Sequence, residues 1–130
     1  MYAAGTPSLQ KQNCLAFLKK VSEGDVRAVS SAEVLQEILH RYRAIHRFQE
    51  GVIVYDTFRS LPIQWLEVLP DDVDDAKEFL TAHAHVSSRD ALHLAVMRRH
   101  KIKKILTYDQ GFLGLPSVTV FLPESFLREE

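Results

Sequence analysis

Three carboxylates, Glu37, Asp90 and Asp109, stand far apart in this chain, and each falls at or near a place where a strand ends or a helix begins. In an open parallel sheet several loops converge at that edge, so side chains distant in sequence meet there. Carboxylates gathered in this way form a hard-oxygen site suited to Mg²⁺ or Mn²⁺, ions that keep part of their water shell and bind phosphates. Each residue also has a purely structural reading. Glu37 is four residues before Arg41, the spacing of a helical ion pair. Asp90 is three residues after Ser87, the spacing of a capping box. Asp109 precedes Gln110 and Gly111 in a turn-like stretch.

The elements that must position them can be read from periodicity. Residues 9–21 place Cys14, Leu15, Phe17, Leu18 and Val21 on one side at helical spacing, with Gly24 as a stop. Residues 26–29 read as a short strand running into a helix from Ser30, whose stripe is Val34, Leu35, Ile38, Leu39 and Tyr42 and whose start carries a Ser30/Glu33 capping box. The stretch 44–61 reads as helix although 52–55 also suits a strand, and Pro62 ends it. Residues 63–69 read as a strand, followed by a helix opened by Asp71, Asp72, Asp74 and Asp75. Acidic residues in a first turn interact favourably with the free amides there, whereas a calcium loop would need a glycine and a terminal glutamate that are missing. A helix over 87–100 carries Ala91, Leu92, Leu94 and Ala95 inward, and strands follow over 103–107 and 118–122. The alternation predicts an α/β layer fold with a mainly parallel sheet.

Bulk properties narrow the class. The chain has 130 residues, 46% of them hydrophobic and 25% charged, which suits one globular domain over residues 1–130. A formal net charge of −1 gives no global attraction to nucleic acid or to anionic membrane, so any polyanion contact must be local. The lone Cys14 forms no internal disulfide and offers no metal-site spacing, pointing to a reducing, cytoplasmic setting. No apolar run approaches the ~20 residues that cross a bilayer.

The local wording around the carboxylates resembles a known family. The stretch Ser30-Ser31-Ala32-Glu33-Val34-Leu35-Gln36-Glu37-Ile38-Leu39, then Ser88-Arg89-Asp90-Ala91-Leu92-His93-Leu94-Ala95, then Ile105-Leu106-Thr107-Tyr108-Asp109-Gln110-Gly111-Phe112, is similar to the successive blocks of PIN domains in order and spacing. The toxins of VapBC toxin–antitoxin pairs are the bacterial members it most resembles. The resemblance implies a PIN-like three-layer fold and an endoribonuclease in which four acidic side chains hold one or two divalent ions, Mg²⁺ or Mn²⁺. By motif match Glu37, Asp90 and Asp109 are three of the four, and Thr107 and Ser31 match positions that help order such a site. It also implies an RNA substrate, a cognate antitoxin protein and a homodimer.

Relatives of this type open with a strand ending in aspartate, and Met1-Tyr2-Ala3-Ala4-Gly5 resembles the part just after that strand. The resemblance thus implies an absent first strand, a weakened metal site with impaired cleavage by this chain and, as the alternative to a nuclease, an inactive PIN-like module that binds a protein or RNA. Extension upstream by about a dozen residues is expected to raise stability, since several buried apolar side chains contribute roughly 1.5–3 kcal/mol each. Equal melting temperatures would refute that expectation.

Other clusters read as structural. His83, His85 and His93 lack a cysteine partner and zinc-site spacing. The run Arg98, Arg99, His100, Lys101, Lys103 and Lys104 suits a solvated helix C-terminus, with phosphate contact as its sharper reading. Trp65 reads as a core or interface residue, having no aromatic neighbours in a base-stacking pattern.

Overall fold

The computed structural model describes residues 9–107, Phe112, Leu115 and 118–127. The expectations about the first residues of the chain and about Asp109 therefore lie outside the described residues. The elements follow in the order α1 (Leu9–Ser22), β1 (Ala28–Ser31), α2 (Ala32–Ala44), α3 (Phe48–Ser60), β2 (Ile63–Leu66), α4 (Pro70–Ala82), α5 (Ser88–Arg99), β3 (Lys104–Leu106), β4 (Thr119–Phe121) and α6 (Pro123–Leu127). They divide into two compact units, one made of Met1–Leu66 with Pro123–Glu130 and the other of Glu67–Leu122.

In the first unit β1 and β2 pair in parallel, with Ala28 opposite Ile63 and Ser31 opposite Leu66. Parallel neighbours cannot be joined by a tight turn, and here the α2–α3 helix pair makes the return. Val21, Ile38, Tyr42, Phe17 and Leu66 are its buried apolar residues, so the stripe expected on α2 is used through Ile38 and Tyr42. Trp65 is half-buried, yet its indole Nε1 is shut off from solvent with no hydrogen-bond partner among the described residues. Asn13 Nδ2 of α1 donates to Glu124 Oε2 of α6 at 3.4 Å.

Three helices end in the same backbone motif, in which a residue of positive φ turns the chain and two amides reach back to free carbonyls. After α1 the residue is Gly24 at φ 81°, with Asp25 N–H donating to the Lys20 carbonyl at 3.0 Å. After α2 it is His46 at φ 59°, with Arg47 N–H donating to the Tyr42 carbonyl at 2.9 Å. After α5 it is Lys101 at φ 59°, with Ile102 N–H donating to the Met97 carbonyl at 2.9 Å. The stretch expected to be helical over 44–61 thus starts only at Phe48. Arg47 at its N-cap forms a bidentate ion pair with Glu50, bonding through both Nε and Nη2.

In the second unit β3 and β4 pair in parallel, with Ile105 opposite Val120. Its core is Ala76, Val86, Ala91, Leu94, Ala95, Phe112 and Leu115, with Phe79, Leu80, Leu92, Met97, Ile105, Val118 and Val120 packed around it. Among the described residues the strands form two two-stranded sheets, not one sheet, and every described pairing is parallel. The mixed helix–strand order and parallel pairing agree with the α/β class expected.

Candidate active site

Glu37 lies in the second turn of α2, six residues after the N-cap Ser31, and is half-buried beside the fully buried Ile38. The helix start differs from expectation. Ser30 belongs to β1, where it pairs opposite Trp65, so the Ser30/Glu33 box does not form. Ser31 takes the cap position at φ −88° and ψ 154°, without a side-chain cap hydrogen bond, and is 7% exposed. The strand-to-helix switch therefore places a small buried hydroxyl residue directly ahead of the Glu37 helix.

Asp90 is the third residue of α5 and is half-buried. Its backbone N–H donates to Ser87 Oγ at 3.1 Å, so the cap expected from the Ser87/Asp90 spacing is present in its backbone half. That bond satisfies one free amide of the first turn and fixes the local backbone that carries the Asp90 carboxyl. α5 does not follow a strand directly but returns from α4, so of the two described carboxylates only Glu37 stands on a strand-to-helix switch.

Thr107 is half-buried at the end of β3, and its N–H donates to the Phe121 carbonyl at 3.0 Å, continuing the β3–β4 ladder by one residue. Asp109, two residues on, lies outside the described residues. Glu37 and Ser31 belong to the first unit, and Asp90 and Thr107 to the second. Among the described residues no group of three or more His, Cys, Asp or Glu side chains is arranged to hold a metal ion. Of the three proposed ligands only Glu37 and Asp90 are described; both are oxygen donors at partly sheltered positions, the donor chemistry a hard divalent cation takes.

One polar group escaped the sequence reading. Asp72 was expected as one of four aspartates favoured by the free amides of a helix start; it is in addition 1% exposed. Its Oδ1 accepts from Arg99 Nε at 2.9 Å, and its Oδ2 from Arg99 Nη2 at 3.1 Å and Leu69 N–H at 2.8 Å. Arg99 Nη2 also donates to the Glu67 carbonyl at 2.8 Å. Burial alone would push the Asp72 carboxyl up, but the Arg99 hydrogen bonds, the Leu69 amide and the charges of Arg99 and His100 outweigh it and hold the group below its usual range. Arg99 accordingly leaves the expected solvated basic run. The signal was hidden because the partners are 27 residues apart and neither breaks the periodicity of its helix.

His83 follows the structural reading: it stacks on Phe79 with ring centroids 4.1 Å apart, and its Nδ1 lies 3.1 Å from the Phe79 carbonyl.

The sequence model of the PIN domain matches residues 10–116. The chain belongs to the PIN domain family. A VapC ribonuclease of Mycobacterium bovis is 36% identical over 118 residues, covering 91% of this chain and 90% of the relative. Ribonuclease VapC13 of Mycobacterium tuberculosis shows the same identity over the same shares. Among solved structures, this PIN domain is similar to VapC20 of Mycobacterium tuberculosis, a toxin described as cleaving the Sarcin-Ricin loop, with a TM-score of 0.71, 20% identity, and coverage of 90% of this chain and 89% of that one. A toxin–antitoxin complex from Klebsiella pneumoniae matches with a TM-score of 0.50 and 17% identity over 72% of this chain and 71% of that one. At such identities the structural likeness establishes the PIN fold alone. No described helix is long and apolar enough to cross a membrane.

Proposed function

We propose that this PIN domain is a divalent-metal-dependent endoribonuclease and the toxin of a type II toxin–antitoxin pair. The observation that carries the reading is its 36% identity, over nine-tenths of both chains, to a protein named as a VapC ribonuclease. Glu37, Asp90 and Asp109 are the carboxylates that hold the ion, Mg²⁺ or Mn²⁺, with Thr107 and Ser31 ordering the backbone around them. The bound ion supplies positive charge that makes water a better nucleophile and offsets charge build-up on the phosphoryl oxygens. The chain's own part is to hold acidic oxygens in a fixed frame. Ser87 ties down the turn that bears Asp90, and the buried Ser31 admits α2 close behind β1, which sets where Glu37 stands. RNA is the substrate and a cognate antitoxin the inhibiting partner; the toxin works as a homodimer in the cytoplasm.

The test is cleavage of an end-labelled RNA by the purified chain. Cutting is expected with Mg²⁺ or Mn²⁺, to vanish with a chelator, and to fall by at least a hundredfold in Asp90→Asn and Glu37→Gln while both variants keep the wild-type circular dichroism. An RNA-cutting activity indifferent to chelator and to both substitutions would overturn the assignment. Retained antitoxin binding with no cutting under any divalent ion would instead mark the chain as an inactive binding module.

A further inference from the structure

The first turn of α5 carries Asp90, and a buried polar anchor holds the helix at its other end, in the Arg99–Asp72 pair. The cap at Ser87 is internal to the turn: it shapes the backbone around Asp90 and does not tie the helix to its neighbours. From α5 the side chains of Ala91, Leu94 and Ala95 lie in the second unit's core, with Leu92 and Met97 packed around it. Such apolar contacts fix how closely the helix approaches its core, and each of them is non-directional. A guanidinium fork is different. Two parallel bonds to one carboxylate define a plane as well as a distance, and here the third bond, from Arg99 Nη2 to the Glu67 carbonyl, fixes the fork from a second direction. Asp72 is held in turn by the Leu69 amide at the start of α4 and is closed off from water.

Helix geometry carries this constraint to the active-site end. Nine residues separate Asp90 from Arg99, a rise of about 14 Å and a rotation of about 900°. The two side chains therefore leave α5 half a turn apart. With Arg99 turned to α4, Asp90 is directed to the side away from α4, and rolling or sliding of α5 would move its carboxyl by the same amount.

Resting on the reading of Asp90 as a metal ligand, we propose that Asp72 and Arg99 are positioning residues for the metal site: the pair fixes the roll and axial register of α5 against α4 and so sets where the Asp90 oxygens lie. Neither residue touches the ion. A ligand misplaced by a fraction of an ångström binds a hard cation less well, and loss of supporting groups around metal ligands commonly weakens affinity by roughly tenfold or more.

The experiment measures Mn²⁺ affinity by titration calorimetry or electron paramagnetic resonance, with steady-state RNA cleavage alongside, at a temperature where each variant is fully folded. Arg99→Lys keeps the positive charge but loses the fork; Asp72→Asn keeps the shape but loses the charge, and serves also if the lysine variant does not fold. Val21→Ala, a buried apolar truncation in the first unit, is the control for simple loss of stability. The expected result is an Mn²⁺ dissociation constant raised roughly tenfold and a lowered kcat with nearly unchanged KM in Arg99→Lys and Asp72→Asn, and wild-type values in Val21→Ala. Wild-type Mn²⁺ affinity in both pair variants, together with lost affinity in Asp90→Asn, would overturn the positioning role and leave the nuclease reading intact. Undiminished affinity in Asp90→Asn would overturn the ligand assignment itself, and the positioning role with it.

Discussion

At the scale of single residues, two ion pairs of similar geometry differ in what they do. Arg47 and Glu50 form a bidentate pair on open surface, where solvent screens the attraction and ordering two long side chains offsets much of it. Asp72 is shut away, so its three accepted hydrogen bonds are not replaced by water when one is lost. Asp72→Ala is expected to lower the unfolding free energy by about 2–4 kcal/mol, measured by urea denaturation at neutral pH. The pH dependence follows from the direction of the shift. The folded-state pKa of Asp72 lies below the ordinary aspartate value of about 3.9, so folding favours the charged form. Its contribution is complete above that ordinary value and is lost as pH falls through the lower folded-state value. The stability gap between wild type and Asp72→Asn is expected to be constant from neutrality down to about pH 5 and to narrow steadily in stronger acid. A gap that widened on acidification would contradict the assignment.

At the scale of elements, the close approach of α2 and α3 depends on Gly51. A methyl group at that position would meet Tyr42 Cβ at 2.5 Å and Cγ at 2.9 Å, and the contact involves the root of a buried side chain that has no room to swing away. Alanine is the better helix former by about 1 kcal/mol, but overpacking costs about 1–3 kcal/mol. Gly51→Ala is therefore expected to destabilise, with a lower urea midpoint as the check. Ser87→Ala removes the cap of α5 and is expected to lower stability by about 1 kcal/mol and to reduce RNA cleavage more than that loss alone explains, because Asp90 rides on the same turn.

Most elements were legible in sequence because their apolar spacing and their stops agree. Gly24 announces the end of α1, and Ser87 the start of α5. The break between α2 and α3 was read a few residues too early because its left-handed residue is His46, a type that takes positive φ far less often than glycine. The short α6 was passed over although Pro123 stands at its first position, where proline is favoured. The Asp72–Arg99 pair lay beyond any local rule, since only the packing of α4 on α5 brings it together. The proposed site residues were legible as a set through their three sequence blocks, and spacing alone left each with an adequate structural explanation.

At the scale of the molecule, the family match spans residues 10–116 and so takes in parts of both compact units. The proposed carboxylates are divided between those units in sequence, so on the proposed reading the activity depends on each unit being folded. That dependence has a direct optical consequence. Trp65 is the only tryptophan in the chain, it belongs to the first unit, and its indole nitrogen is sheltered without a hydrogen-bond partner among the described residues. Its fluorescence is thus a selective reporter: blue-shifted emission while that unit is intact, and a red shift when water reaches the ring. Far-ultraviolet dichroism, by contrast, sums the helices of both units. Superimposable urea curves from the two signals would establish one cooperative transition, whereas an early dichroic loss at constant emission would identify α4 and α5, and Asp90 with them, as the part that melts first.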